Sequence, residues 1–200
     1  MHWVSWYEFA SPKASGGMGF RDPEAFNQAL LARQAWRLLT KPNSLCALVL
    51  KARYYPNGSL VDTVFAGNAS PTWHAIQHGL ELLKQGLIWR VGNGESIRIW
   101  RDPWLPRPMT YRPITPRGTC RLRRVSELLD GNGRWRVDLI QQHFTVSDVE
   151  CILTIKASPR GLEDVLAWAP DNRGIFSVRS AYKTAMEGQT STSMCATSRA

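Results

Sequence analysis

The chain has no Asp-Asp pair, no Cys-x-x-Cys pair, no phosphate-binding Gly-x-x-x-x-Gly-Lys loop and no long apolar run. Each absence excludes something. Polymerase chemistry needs clustered carboxylates to hold two metal ions, and none are present. Glu163 and Asp164 are adjacent, but at an expected strand start, where neighbours point to opposite faces; a solvated edge accounts for them. The four cysteines, Cys46, Cys120, Cys151 and Cys195, are far apart, which points to reduced thiols in an intracellular compartment and to no zinc site. No stretch approaches the roughly 20 apolar residues that span a bilayer, so no membrane partner is expected. The first residues, Met1 to Glu8, lack both the basic and the apolar segment of a signal peptide, and the early Arg of a transit peptide. No Ser, Cys or Thr has a recognisable nucleophile arrangement. His74 and His78 have metal-ligand spacing, but Ala75 stands where a zinc hydrolase needs Glu, so solvent-facing histidines are expected. Gly16-Gly17-Met18-Gly19 lacks the preceding strand of a dinucleotide site and reads as a turn. No catalytic residue, metal or cofactor is assigned.

What is there suits a packed protein that meets an anionic partner. The 200 residues are 44% hydrophobic and include nine Trp, enough for a real core in one domain or two small ones. The net charge is +9, and basic excess fits nucleic acid. Between Trp89 and Arg136 there are eleven Arg, no Lys and four carboxylates, so eleven minus four leaves +7 in this stretch. Arg reads phosphate through a planar fork and stacks on bases. A solvated loop surface is the competing account, and composition does not separate the two.

Local signals give an α+β, mainly helical fold with two short β-hairpins and a disordered C-terminal tail. Asp22 caps a helix with Pro23 at its first position, and Ala25, Ala29, Ala32, Trp36 and Leu39 form its inward face up to Lys41-Pro42. A second helix is expected to turn Leu45, Leu48, Val49 and Ala52 inward. Ser70-Pro71 opens a third, with Trp73, Ile76, Leu80 and Leu83 inward and Gly86 at its end. Asn93-Gly94 predicts a two-residue hairpin within Leu87 to Trp100, placing Trp89, Arg98 and Trp100 on one face. That face is either a cation–π stack available to bases or part of the core. Residues 101–123 hold five Pro and six Arg and read as a loop or arm. A short helix at Val125, a turn at Asp130, a helix from Val137 to Phe144, and a capping box of Ser147 with Glu150 opening another helix follow. Asp164 to Ala169 and Ile175 to Val178 read as the second hairpin. Arg179 to Met186 reads as a helix, and the tail begins at Gly188. The candidate nucleic-acid-binding residues are Trp89, Arg90, Arg98, Trp100, Arg101, Arg121, Arg123 and Arg124.

Several blocks in fixed order carry a resemblance. They are Gly16 to Asp22, Asn27 to Leu38, Gly86 to Gly94, Ile97 to Pro106 and Gly174 to Tyr182. His2-Trp3-Val4-Ser5-Trp6, Pro12-Lys13, Trp73-His74-Ala75-Ile76 and Asp164-Val165-Leu166-Ala167-Trp168 also match by position. Together they resemble the polyprotein of plant LINE-type (non-LTR) retrotransposons, in the region between the reverse transcriptase core and the ribonuclease H domain. The resemblance runs from about His2 to about Met186. It implies a parent that is an RNA-directed DNA polymerase, and it places the Phe176 to Tyr182 block at the opening of the reverse transcriptase zinc-binding region. The family's Cys and His ligands come later, and Cys195 alone cannot supply four.

The resulting layout is a post-polymerase helical region with a Trp-rich hairpin over 1–106, a Pro/Arg linker over 107–123, the start of a zinc-binding-like region over 124–187 and a tail over 188–200. Four functions compete: a non-catalytic retrotransposon fragment, a nucleic-acid-binding module for RNA or single-stranded DNA, a folded relict that binds nothing, and an enzyme of another class, which the missing clusters disfavour. A stretch of a longer polymerase is a variant of the first. The nucleus or cytoplasm is the expected location, with a mitochondrial relict as the alternative.

Overall fold

A computed structural model describes residues 9, 17–63, 69–107, 110–158 and 161–197. The aromatic lead-in over 1–8 lies outside the described residues. Among the described residues there are six α-helices and two short antiparallel strands, the α+β, mainly helical class expected. Contacts divide the chain into two compact units, one formed by residues 1–84 with 176–200 and the other by 85–175.

In the first unit, α1 (Pro23–Thr40) begins as read: the Asp22 carboxylate accepts the Ala25 N–H at 2.7 Å, and Pro23 fills the first turn. Ala25, Ala29, Ala32, Ala35 and Leu38 are buried, so the inward face is nearly all alanine. Trp36 and Leu39, expected on that face, are only half-buried. Small side chains allow close approach, and α6 (Val178–Thr197) packs on α1. The Tyr182 hydroxyl accepts the Asp22 N–H at 3.0 Å, and Trp36 stacks on Phe176 at 5.7 Å. The tail expected from Gly188 falls on the last turns of α6 and on 198–200, which lie outside the described residues.

Helix α2 (Leu45–Tyr54) forms, capped by Ser44, but with its faces reversed from expectation. Ala47 is buried, whereas Leu45 (79% exposed), Leu48 and Val49 face outward. The apolar count on a face does not decide burial when the helix is short; the aromatic pair at its C-terminal end does. Tyr54 and Tyr55 both stack on Trp73, at 4.3 and 5.8 Å, and Tyr54 shares a hydrogen bond with Ser70. Helix α3 (Pro71–Gly86) opens at Ser70, whose hydroxyl accepts the Trp73 N–H, and buries Trp73, Ile76, Leu80 and Leu83 as read.

In the second unit, the sheet departs from both hairpins. Strand β1 (Leu87–Arg90) pairs antiparallel with β2 (Val165–Trp168), in the register Leu87–Trp168 to Arg90–Val165. The first hairpin is replaced because the Asp164 carboxylate gathers three backbone N–H groups, from Gly92 (2.8 Å), Gly94 (2.9 Å) and Ser96 (2.8 Å). The loop wraps round a carboxylate instead of turning into a second arm, with Gly94 at φ +73°. Asp164 is therefore half-buried and fully engaged, not on a solvated edge. The second hairpin is replaced too: Trp168 N–H donates to Gly174, the Asp171 carboxylate accepts from Arg173 and Ile175, and no strand forms at 175–178.

Helices α4 (Val137–His143) and α5 (Val146–Thr154) pack together, with Ile140, Phe144, Val149 and Ile152 in one core with Ile97, Ile99, Trp104 and Leu128. The N-cap of α5 is Thr145, not Ser147. The reason lies three residues on from Thr145. Asp148 is wholly buried, paired with Arg107 at 2.8 Å, and accepts the N–H groups of Ile114 and Thr115 and the Thr115 hydroxyl. This carboxylate ties the Pro/Arg stretch to α5.

Candidate nucleic-acid interface

The eight candidate residues all lie in the second unit, but the fold does not treat them alike. The shared face of Trp89, Arg98 and Trp100 does not form, since the hairpin that would create it is absent. Trp89 and Trp100 are half-buried against the core. Trp100 stacks on Phe144 at 5.1 Å and donates its indole N–H to Leu122 at 3.0 Å. Arg98 is held by Asp102, only 8% exposed: its Nε and one terminal nitrogen reach the carboxylate at 2.7–3.1 Å, and its backbone N–H also donates there. Both partners' geometry is that of a closed fork, which satisfies the guanidinium internally.

Arg121, Arg123 and Arg124 are exposed on a pinned extended segment. The Ile99 N–H donates to the Arg123 carbonyl at 2.9 Å, the Val125 N–H to Ile97 at 3.1 Å, and Arg98 bridges Arg124 antiparallel. The Glu127 carboxylate takes the backbone N–H groups of Arg123 and Arg124 at 2.9 and 2.7 Å. Side chains alternate along an extended chain. Leu122 turns to the core, so Arg121 and Arg123 turn outward together. Arg124 reaches the other way, to the Ser96 carbonyl at 3.0 Å. Arg90 is exposed and donates to the Asn172 carbonyl, while exposed Arg101 offers its carbonyl to the Arg112 guanidinium.

The exposed carboxylates near this surface are engaged by backbone N–H groups. Glu127 and Asp130 bind backbone amides, and the Arg134 N–H, then that of Asn132 with the nearby Arg134 charge, holds the Asp130 carboxyl below the usual aspartate range. Sequence reasoning missed both Asp164 and Asp148 as organisers. The paired Gly92 and Gly94 were as good a signal for a loop of converging N–H groups as for a hairpin. Nothing in the sequence near Asp148 pointed to Arg107, 41 positions away. Among the described residues no three His, Cys, Asp or Glu side chains come together, and no helix is long and apolar enough to cross a membrane.

No family model matches the chain, and no solved structure matches it. Two curated relatives do. A putative ribonuclease H protein of Arabidopsis thaliana is 34% identical over 190 residues, which is 91% of this chain but 30% of that protein; the chain thus spans under a third of that relative. An uncharacterized mitochondrial protein of Arabidopsis thaliana is 38% identical over 115 residues, 57% of this chain and 73% of that protein. With that identity over nearly three quarters of the relative, the chain belongs to the family of this mitochondrial Arabidopsis protein.

Proposed function

We propose that the chain is a non-catalytic, retrotransposon-derived protein whose second unit binds RNA or single-stranded DNA through phosphates. The observation that carries this reading is the pinned segment 121–124, with Arg121 and Arg123 outward on one side and the neighbouring carboxylate of Glu127 committed to backbone amides. A rigid backbone lowers the entropy lost when long side chains close on phosphate. The resemblance to the LINE polyprotein and the two plant relatives support the derivation. On this reading residues 124–187 correspond to the opening of the zinc-binding region without its ligands.

Binding of this kind weakens steeply with salt and varies little with base sequence. Filter binding of a labelled single strand across a salt series tests it. Replacing Arg121 and Arg123 by Gln should shrink the log–log slope by about 1.4, at about 0.7 per phosphate, and adding Arg124→Gln, whose side chain turns to the Ser96 carbonyl, should change it little further. An unchanged slope in the triple variant, or no binding at low salt, defeats the proposal.

A second reading, that the chain is one stretch of a longer RNA-directed DNA polymerase, is favoured by the alignment of 91% of this chain within 30% of the ribonuclease H relative. A transcript map that places an Asp-Asp box upstream in the same frame would establish it; a transcript confined to this frame would remove it.

A further inference from the structure

A cavity of about 590 Å³ opens in the second unit over residues of both β1 and β2, and nothing in the phosphate reading uses it. Its size falls in the range of small-molecule sites, roughly 300–1,000 Å³. Trp104, 1% exposed, forms part of its inner wall, and the half-buried rings of Trp89 and Tyr111 line it. Arg90 and Lys156, both exposed, also line it. Its one lining carboxylate, Asp171, is occupied by the N–H groups of Arg173 and Ile175. The lining is thus aromatic with a surplus of positive charge.

Tyr111 gives a second, independent sign. It is the one non-glycine among the described residues with positive φ, at +51°. An L-residue there is strained by about 1–2 kcal/mol. The strain is held by its own carbonyl, which accepts the N–H groups of Trp104 at 2.7 Å and Leu105 at 2.9 Å. These bonds tie the Tyr111 backbone to Trp104 and Leu105 beside the cavity.

Aromatic walls with cations suit a planar π-system that carries a negative charge, and disfavour an aliphatic chain, which has no use for either. We propose that this cleft seats one unstacked base of a bound single strand, with Tyr111 and Trp89 offering ring faces and Arg90 and Lys156 meeting the adjoining phosphate. The proposal rests on the phosphate-binding reading above and assigns that surface a base subsite.

The test compares two oligonucleotides of equal length and equal phosphate number, one of thymidines and one of abasic residues, by fluorescence anisotropy on the full chain. Stacking of one base is worth about 1–3 kcal/mol, so the abasic strand should bind about five- to 150-fold more weakly. Tyr111→Asn removes the ring with a residue that tolerates positive φ; it should close most of that gap. Because a variant can misfold, the unaltered protein is also irradiated with a 5-iodouridine strand, and cross-links should map to Trp89, Tyr111 or Trp104. Equal affinity for the two strands with a steep salt slope overturns the base subsite and leaves the phosphate reading standing. No binding of either strand at low salt overturns both. A gap that persists in folded Tyr111→Asn, or cross-links confined to residues outside the cleft, places base contact elsewhere and overturns the proposal.

Discussion

Asp164 shows how one side chain can outweigh a strong local turn signal. Three charge-assisted N–H bonds converge on a half-buried carboxylate, and each such bond is stronger than a neutral one. Asp164→Ala leaves the three donors to find water or go unpaired, and should destabilise the second unit by about 2–4 kcal/mol. Asp164→Asn keeps one acceptor oxygen and should fall between. Urea unfolding followed by Trp fluorescence reads both; an Ala variant within about 0.5 kcal/mol of the parent would contradict the account. Asp130 makes a pH-dependent contribution of the same type. Its folded pKa lies below the usual aspartate value because the Arg134 N–H, then the Asn132 N–H, favour the ionised form. A depressed folded pKa means stability that is present above the unfolded value and lost as pH falls through the folded one. Asp130→Asn should therefore be less stable than the parent at pH 7, with the difference shrinking below about pH 4. Melting temperatures of both proteins from pH 7 to pH 2.5 would show it, and a difference that is constant with pH would refute it.

At the level of elements, close approach decides the helix packing in the first unit. A Cβ on Gly79 of α3 would lie well inside contact distance of the Leu31 backbone and the Ala32 nitrogen of α1. Helix propensity alone favours Ala over Gly by about 1 kcal/mol. Overpacking against backbone costs about 1–3 kcal/mol and has no flexible side chain to absorb it. The clash should win, so Gly79→Ala should lower stability, whereas an exposed helix glycine would gain. Thermal unfolding of the variant separates these, and a rise in the midpoint would show that α1 and α3 can part. The alanine stripe of α1 obeys the same logic. Its spacing was legible, but the choice between Trp36 and Ala35 as the inward residue was not, because periodicity gives a face to within about one residue while contact with α6 sets its centre.

For the whole molecule, charge and chemistry separate cleanly. The chain carries +9 overall, while five of its aspartates have structural tasks: Asp22 caps a helix, Asp102 and Asp148 bind arginines, and Asp130 and Asp164 bind backbone amides. Carboxylates bound in this way are not arranged as a pair to hold two metal ions. The purified chain should give no extension of a primed RNA template with Mg²⁺ above a mock preparation. Extension that persists through a second purification step would overturn that expectation.

The sequence by itself determined the helices that start at a capping residue followed by Pro, their approximate ends, the mainly helical class, and the concentration of arginine between Trp89 and Arg136. Those features depend on interactions within a few residues, where spacing and residue type suffice. Tertiary structure decided the rest. The pairing of β1 with β2 joins segments about 80 positions apart, and the Asp148–Arg107 pair joins segments 41 apart. The reversal of α2 depends on where Trp73 stands. Which arginines meet solvent depends on which carboxylates are already taken, as Arg98 by Asp102 and Arg107 by Asp148. Hydrogen-bonding capacity is finite, and a group that a distant partner satisfies is no longer available to its sequence neighbours. That competition is settled only when the chain has folded.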